Sequence, residues 1–150
     1  MSIGDICNRD VVVVERDATI QEAARLMRDH HVGDLVVLRG GGVKEPVGIL
    51  TDRDIVVEVL GEGIAAEAVT VGDIMSDKLL IGREEDELWD ALQRMRIAGV
   101  RRLPVVDRHG ALQGILTLDD VIELLAEELA QAAKLVAREQ AVEAGGRSGG

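Results

Sequence analysis

Gly48-Ile49-Leu50-Thr51-Asp52-Arg53-Asp54-Ile55 returns 66 residues later as Gly114-Ile115-Leu116-Thr117-Leu118-Asp119-Asp120-Val121. In each copy a short apolar run led by glycine reads as a buried strand, a threonine stands at its end, and a helix-forming segment with apolar periodicity follows. Threonine at a helix N-cap with aspartate three positions on is close to the capping box, in which side-chain oxygens satisfy backbone N–H groups of the first turn. Capping explains one such pair. It does not explain two pairs at matched positions.

Working outward from these stretches, the whole chain reads as a duplication. An offset of 68 carries Gly4-Asp5-Ile6 onto Gly72-Asp73-Ile74, Ala23 onto Ala91, Met27 onto Met95 and Val32 onto Val100. The offset drops to 66 where Arg39-Gly40-Gly41-Gly42 faces Asp107-Arg108-His109-Gly110, a turn in both copies. The first copy predicts a strand at Val11-Val12-Val13-Val14 and a helix capped by Asp17 or Thr19 and running to about His30. That helix would turn Ile20, Ala23, Ala24, Met27 and His31 inward. Strands follow at Leu35 to Leu38 and Val47 to Leu50, then a helix from Asp52 to about Leu60. The second copy predicts a strand at Leu79-Leu80-Ile81, a helix from Glu85 to about Ala98, and strands at Leu103 to Val106 and Leu112 to Leu116. Pro104, lacking an N–H, marks its strand as an edge or a start. Val121, Leu125, Leu129, Ala132 and Val136 extend the last helix, and Gly145 to Gly150 reads as disordered.

These elements divide the chain into a first repeat over residues 1–62, a linker over 63–71, a second repeat over 72–130, and a helical extension with a tail over 131–150. The fold class is α/β (α+β): two β-α-β-β-α repeats. Neither half of roughly 60 residues buries enough surface alone, so the two should pack about an approximate two-fold axis with similar clefts between them. Ligands of open α/β arrangements sit beyond the carboxyl ends of strands, where helix N-termini expose N–H groups.

Composition narrows the chemistry. The formal charge of −11 argues against nucleic acid or an anionic membrane as a partner. One Trp, no Phe and no Tyr leave an aliphatic interior, so a flat ligand would lie between Val, Ile, Leu and Met side chains. The single cysteine, Cys7, forms no internal disulfide and reads as a structural thiol of a reducing compartment. The N-terminal residues carry no basic and apolar leader pattern, and no apolar run is long enough to span a bilayer, so the expectation is a cytoplasmic protein. Adjacent His30 and His31 point in different directions on a helix and find no third ligand, so no metal site is expected. Nor is there a Ser-His-Asp set or a phosphate loop: Gly40-Gly41-Gly42 lacks the Lys-Ser/Thr ending. The expectation is a protein that is not an enzyme.

The tandem β-α-β-β-α unit resembles a pair of CBS domains, a Bateman module, in its Gly-hydrophobic-hydrophobic-Thr-x-x-Asp endings and its Leu103-Pro104-Val105-Val106-Asp107 run. The resemblance covers roughly Gly4 to Leu129. It implies a regulatory sensor of adenosine compounds (AMP, ADP, ATP, NAD or S-adenosylmethionine) that requires no cofactor, commonly forms homodimers and acts on a regulated protein the sequence does not name. It implies ribose contacts at Thr51 and Asp54 for one cleft and at Thr117 and Asp120 for the other. The adenine pocket would involve Val12, Leu80, Pro104 and Ile115, and phosphates would meet Arg53, Arg101 and Arg102. Arg53 inside the first motif faces Asp119 in the second, so the clefts should differ in their tolerance for phosphate. The alternative is a ligand-free dimeric scaffold that binds through its long last helix.

Overall fold

The computed structural model describes residues 1–148. They fall into two compact units, Met1–Leu116 and the segment beginning at Thr117. The first holds two three-stranded sheets. In one, β1 (Val13–Glu15) lies parallel to β2 (Asp34–Gly40), which pairs antiparallel with β3 (Val43–Thr51). In the other, β4 (Gly82–Arg83) lies parallel to β5 (Arg102–Val106), and β6 (Leu112–Thr117) is the third strand.

Helix α2 (Ile20–His30) is held at its start by a closed capping box: Thr19 Oγ1 accepts from Glu22 N at 3.2 Å and Glu22 Oε2 accepts from Thr19 N at 3.0 Å. Its buried face is Ile20, Ala23 and Met27, packed with Leu35, Val37 and Leu50. Burying each larger aliphatic contributes about 1.5–3 kcal/mol. Ala24 and His31 are exposed instead of inward. His31 has left the helical spiral at φ 53°, so helical periodicity no longer sets its direction. In the other repeat, α5 (Leu88–Ala98) buries Leu88, Ala91 and Met95 and ends on Gly99 at φ 69°.

Two short helices, α1 (Ile3–Ile6) and α4 (Val71–Ile74), head the repeats, and each docks on the opposite repeat. Ser2 bridges to Glu87 and Asn8 to Ile115, while Thr70 bridges to Thr19 and Ser76 to Ile49. Gly4 N donates to Glu84 O at 2.9 Å, and Gly72 N to Arg16 O at 2.8 Å. Each contact of one arm thus recurs in the other at the offset of the sequence repeat, so the halves are related by an approximate two-fold and exchange their arms. The exchange also explains the glycine that leads each motif. A Cβ on Gly48 would lie 2.8 Å from Ser76 O, and one on Gly114 would lie 2.7 Å from Asn8 O.

Several boundaries differ from the sequence expectations. Val11 and Val12 precede β1, and Leu79-Leu80-Ile81 precedes β4, because the paired registers cover only Val13–Glu15 against β2 and Gly82–Arg83 against β5, with a single further bond from Val36 N to the Val12 carbonyl. Gly82 permits that approach: a Cβ there would meet Ile3 Cδ1 at 2.6 Å and Leu103 Cδ2 at 2.8 Å. Pro104 lies inside the central strand of its sheet, neither at an edge nor at a start. The proline is tolerated because β4 pairs only with Val105 and Val106 and needs no donor from position 104. Pro46, by contrast, sits in edge strand β3 beside a register shift. The helix after Thr51 is α3 (Asp52–Ile55) continuing as a π-helix over Val56–Leu60, which turns Val59 into the core. Helix α5 begins at Leu88, since residues 84–86 form the turn that receives α1.

The second unit is helix α6 (Leu118–Ser148). It carries on through Gly145 and Gly146, where disorder was expected, because propagation adds one hydrogen bond per residue and a glycine costs only about 1 kcal/mol. Gly149 and Gly150 lie outside the described residues. No described helix is long and apolar enough to cross a membrane.

Candidate functional site

Thr51 ends β3 and caps α3, and its link to Asp54 runs in both directions. Thr51 Oγ1 accepts from Asp54 N at 3.1 Å, and Asp54 Oδ2 accepts from Thr51 N at 2.9 Å. Both side chains are half-buried. The capping bond occupies one carboxylate oxygen of Asp54 and leaves Oδ1 for a further donor. At the start of α6, Oγ1 of the preceding Thr117 accepts from Asp120 N at 3.1 Å, and Asp120 is exposed.

A cavity of 210 Å³ opens beside the unpaired segment that precedes β4. Ile49, Leu79, Leu80 and Val100 make its apolar wall, and Ser76, Lys78, Arg101 and Arg102 its polar side. Ser76 and Ile49 are locked together by reciprocal backbone bonds of 3.0 and 3.1 Å, so the exchanged arm forms part of the wall. Ligand pockets commonly run to about 300–1,000 Å³, so this one matches a base more than a whole nucleotide. Three cations at one cavity stand out in a chain of net charge −11.

Of the residues the sequence pointed to, Leu80, Arg101 and Arg102 meet at this cavity. Arg53 lies exposed between Thr51 and Asp54, its backbone N donating to Asp52 Oδ1 at 2.8 Å. Val12 is half-buried and its carbonyl already accepts from Val36 N at 3.2 Å. Pro104 and Ile115 are buried in β5 and β6. Sequence reasoning passed over Asp34, whose carboxylate pairs with the Arg102 guanidinium. A signal was present: the offset of 68 that defines the repeat carries Asp34 onto Arg102.

Displaced ionisations lie mainly in the arms and turns. Burial pushes the Cys7 thiol up. The backbone N–H of Thr70 holds Asp73 below the usual aspartate value, and those of Ala111 and His109 do the same for Asp107. Among the described residues no cluster of three His, Cys, Asp or Glu is disposed to hold a metal ion.

The CBS-domain profile matches residues 3–61 and 71–127, one match per repeat. The chain belongs to the CBS-domain family. This CBS pair is 36% identical over 124 residues to the uncharacterized protein MK0525 of Methanopyrus kandleri, covering 83% of the present chain and 62% of that one. The chain therefore spans less than two thirds of the length of that relative. It is 39% identical over 120 residues to the CBS domain-containing protein YhcV of Bacillus subtilis, covering 80% and 82% of the two chains. Among solved structures it is similar to Hypoxic Response Protein I with two coordinated zinc ions, at a TM-score of 0.71, 32% identity and coverage of 82% and 98%. The fold also matches the CBS domain protein PAE2072 of Pyrobaculum aerophilum complexed with AMP, at a TM-score of 0.73, 23% identity and coverage of 87% and 99%.

Proposed function

We propose that this CBS pair is a regulatory module that binds an adenosine compound (AMP, ADP, ATP, NAD or S-adenosylmethionine) and passes its occupancy to a partner protein without catalysing a reaction. The observation that carries this reading is the 210 Å³ cavity, whose aliphatic walls suit a base, with Lys78, Arg101 and Arg102 on its polar side suited to a phosphate held outside that volume. The AMP complex of a protein with the same fold supports it. Ribose hydroxyls would donate to the free oxygens of Asp54 and Asp120, beside Thr51 and Thr117. A carboxylate accepting from two neighbouring hydroxyls gains charge-assisted bonds of about 1.5–3 kcal/mol each.

The module acts as a homodimer in this reading. Val56, Val57 and Leu60 on the π-helical turn and Trp89 and Ile97 on α5 are exposed apolar side chains that a second copy of the chain would cover, Ile97 at 82%. The scaffold alternative draws support from α6, where Ile122, Leu129, Leu135, Val136 and Val142 are exposed. Calorimetric titration of the full chain with AMP, ATP, NAD and S-adenosylmethionine separates the two. Saturable binding of at least one, weakened in Asp54→Ala or Asp120→Ala, supports the sensor; no heat from any at millimolar concentration leaves the scaffold.

A further inference from the structure

Helix α6 makes up the second unit by itself, so that unit has no core of its own. Its 31 residues contain no proline and extend for about 46 Å. Ile122, Leu125, Leu129, Ala132 and Val136 succeed one another at spacings of 3, 4, 3 and 4, the a and d positions of a coiled coil. All five are exposed, Leu129 at 72% and Ile122 at 56%. Most helical stability in proteins comes from packing such a face, and here it lies open. Charge is divided along the same helix. Asp119, Asp120, Glu123, Glu127 and Glu128 make the first half purely acidic, whereas Lys134 and Arg138 offset Glu139 and Glu143 in the second.

We infer that α6 pairs with α6 of a second copy of the chain as an antiparallel two-helix coiled coil. This goes beyond the adenosine-binding reading and does not depend on it: the open face of α6 is covered by another copy in place of a foreign protein. A parallel pair would set the two acidic halves side by side. It would also set Ala132 against Ala132, which leaves a gap in the seam. Both faults vanish in the antiparallel pair in which Leu129 covers Ala132 of the second copy. Leu125 then meets Val136, and two-fold symmetry makes each of these contacts twice, a large side chain on a smaller one. The same register brings Lys134 level with Glu127 of the second copy and Arg138 level with Glu123, so cations stand beside the acidic half. Ile122 falls level with Glu139, where the apolar seam ends.

The test measures distances between spin labels in the full chain, with Cys7→Ser to leave one labelling position and either Gln131→Cys or Glu143→Cys to carry the label. A melting curve checks that each variant folds, and Cys7→Ala replaces the serine background if that one is unstable. Gln131 lies at the centre of the pair, so its two labels should be close, set by helix axes about 10 Å apart and the label arms. Glu143 lies level with Leu118 of the second copy, so its labels should stand about 37 Å apart along the axis. Adding Leu129→Asp to the Gln131→Cys chain should abolish the short distance, because it buries a carboxylate in the middle of the seam. Short distances at both positions, a short distance at Gln131 that survives Leu129→Asp, or no coupling at Gln131 at submillimolar chain overturns the antiparallel pair. Nucleotide titration of Leu129→Asp reads the adenosine site separately, so failure of the pairing and failure of the sensor reading are told apart.

Discussion

A Cβ on Gly48 would sit 2.8 Å from the carbonyl oxygen of Ser76, and one on Gly114 would sit 2.7 Å from that of Asn8. These two approaches are one contact made twice, and they fasten each arm to the opposite sheet.

Gly114→Ala should therefore destabilise the fold by about 1–3 kcal/mol, the usual cost of overpacking. The carbonyl facing the new methyl belongs to backbone that is itself paired with Ile115, so it has little room to retreat. Gly41→Ala, at a turn where a Cβ meets nothing within 4 Å, is the matched control, and there only its φ of 67° opposes the change. Chemical denaturation measures both, and equal losses would remove the special status of the arm contact.

Thr51→Ala should cost about 1 kcal/mol, because Asp54 N loses the hydroxyl that caps it. Thr51→Ser keeps the oxygen and should recover most of that loss. A denaturant midpoint that treats the two variants alike would show that the cap contributes little.

Asp107 ties together the turn before β6. Oδ1 accepts from His109 N at 2.8 Å and Ala111 N at 3.1 Å, and Oδ2 from Gln113 Nε2 at 3.0 Å. Its pKa lies below the usual 3.8 because these bonds favour the charged form. A group depressed in the folded state adds stability that is full above the unfolded value and is lost as pH falls through 3.8 towards the folded value. Melting temperature should thus drop on acidification, and Asp107→Asn should start lower at neutral pH and drop less. A parallel pair of melting curves would refute the assignment.

Cys7 donates weakly to Gly4 O at 3.7 Å, and burial raises its pKa above the ordinary thiol value of 9.0. Only the thiolate reacts, so alkylation of the native chain near pH 8 should run well below the rate of a free cysteine and reach it on unfolding. A native rate equal to the unfolded one would show that the arm opens freely.

Chemistry written in single residues was legible in the sequence. The Gly-Ile-Leu-Thr ending, the offset of 68 and the aliphatic periodicity sufficed for the two repeats, for α2 and α5, and for both threonine hinges, because each depends on neighbours within a few positions. The arm exchange was not legible, since it pairs Asn8 with Ile115 across 107 positions and Ile49 with Ser76 across 27. Nor was the position of β4, which exists only where β5 offers a partner. The meeting of Asp34 with Arg102 was decided by tertiary structure in the same way. Each residue alone is an ordinary charge at the start of a strand, and only the near two-fold packing brings these equivalent positions face to face, where opposite charges attract and like charges would have repelled.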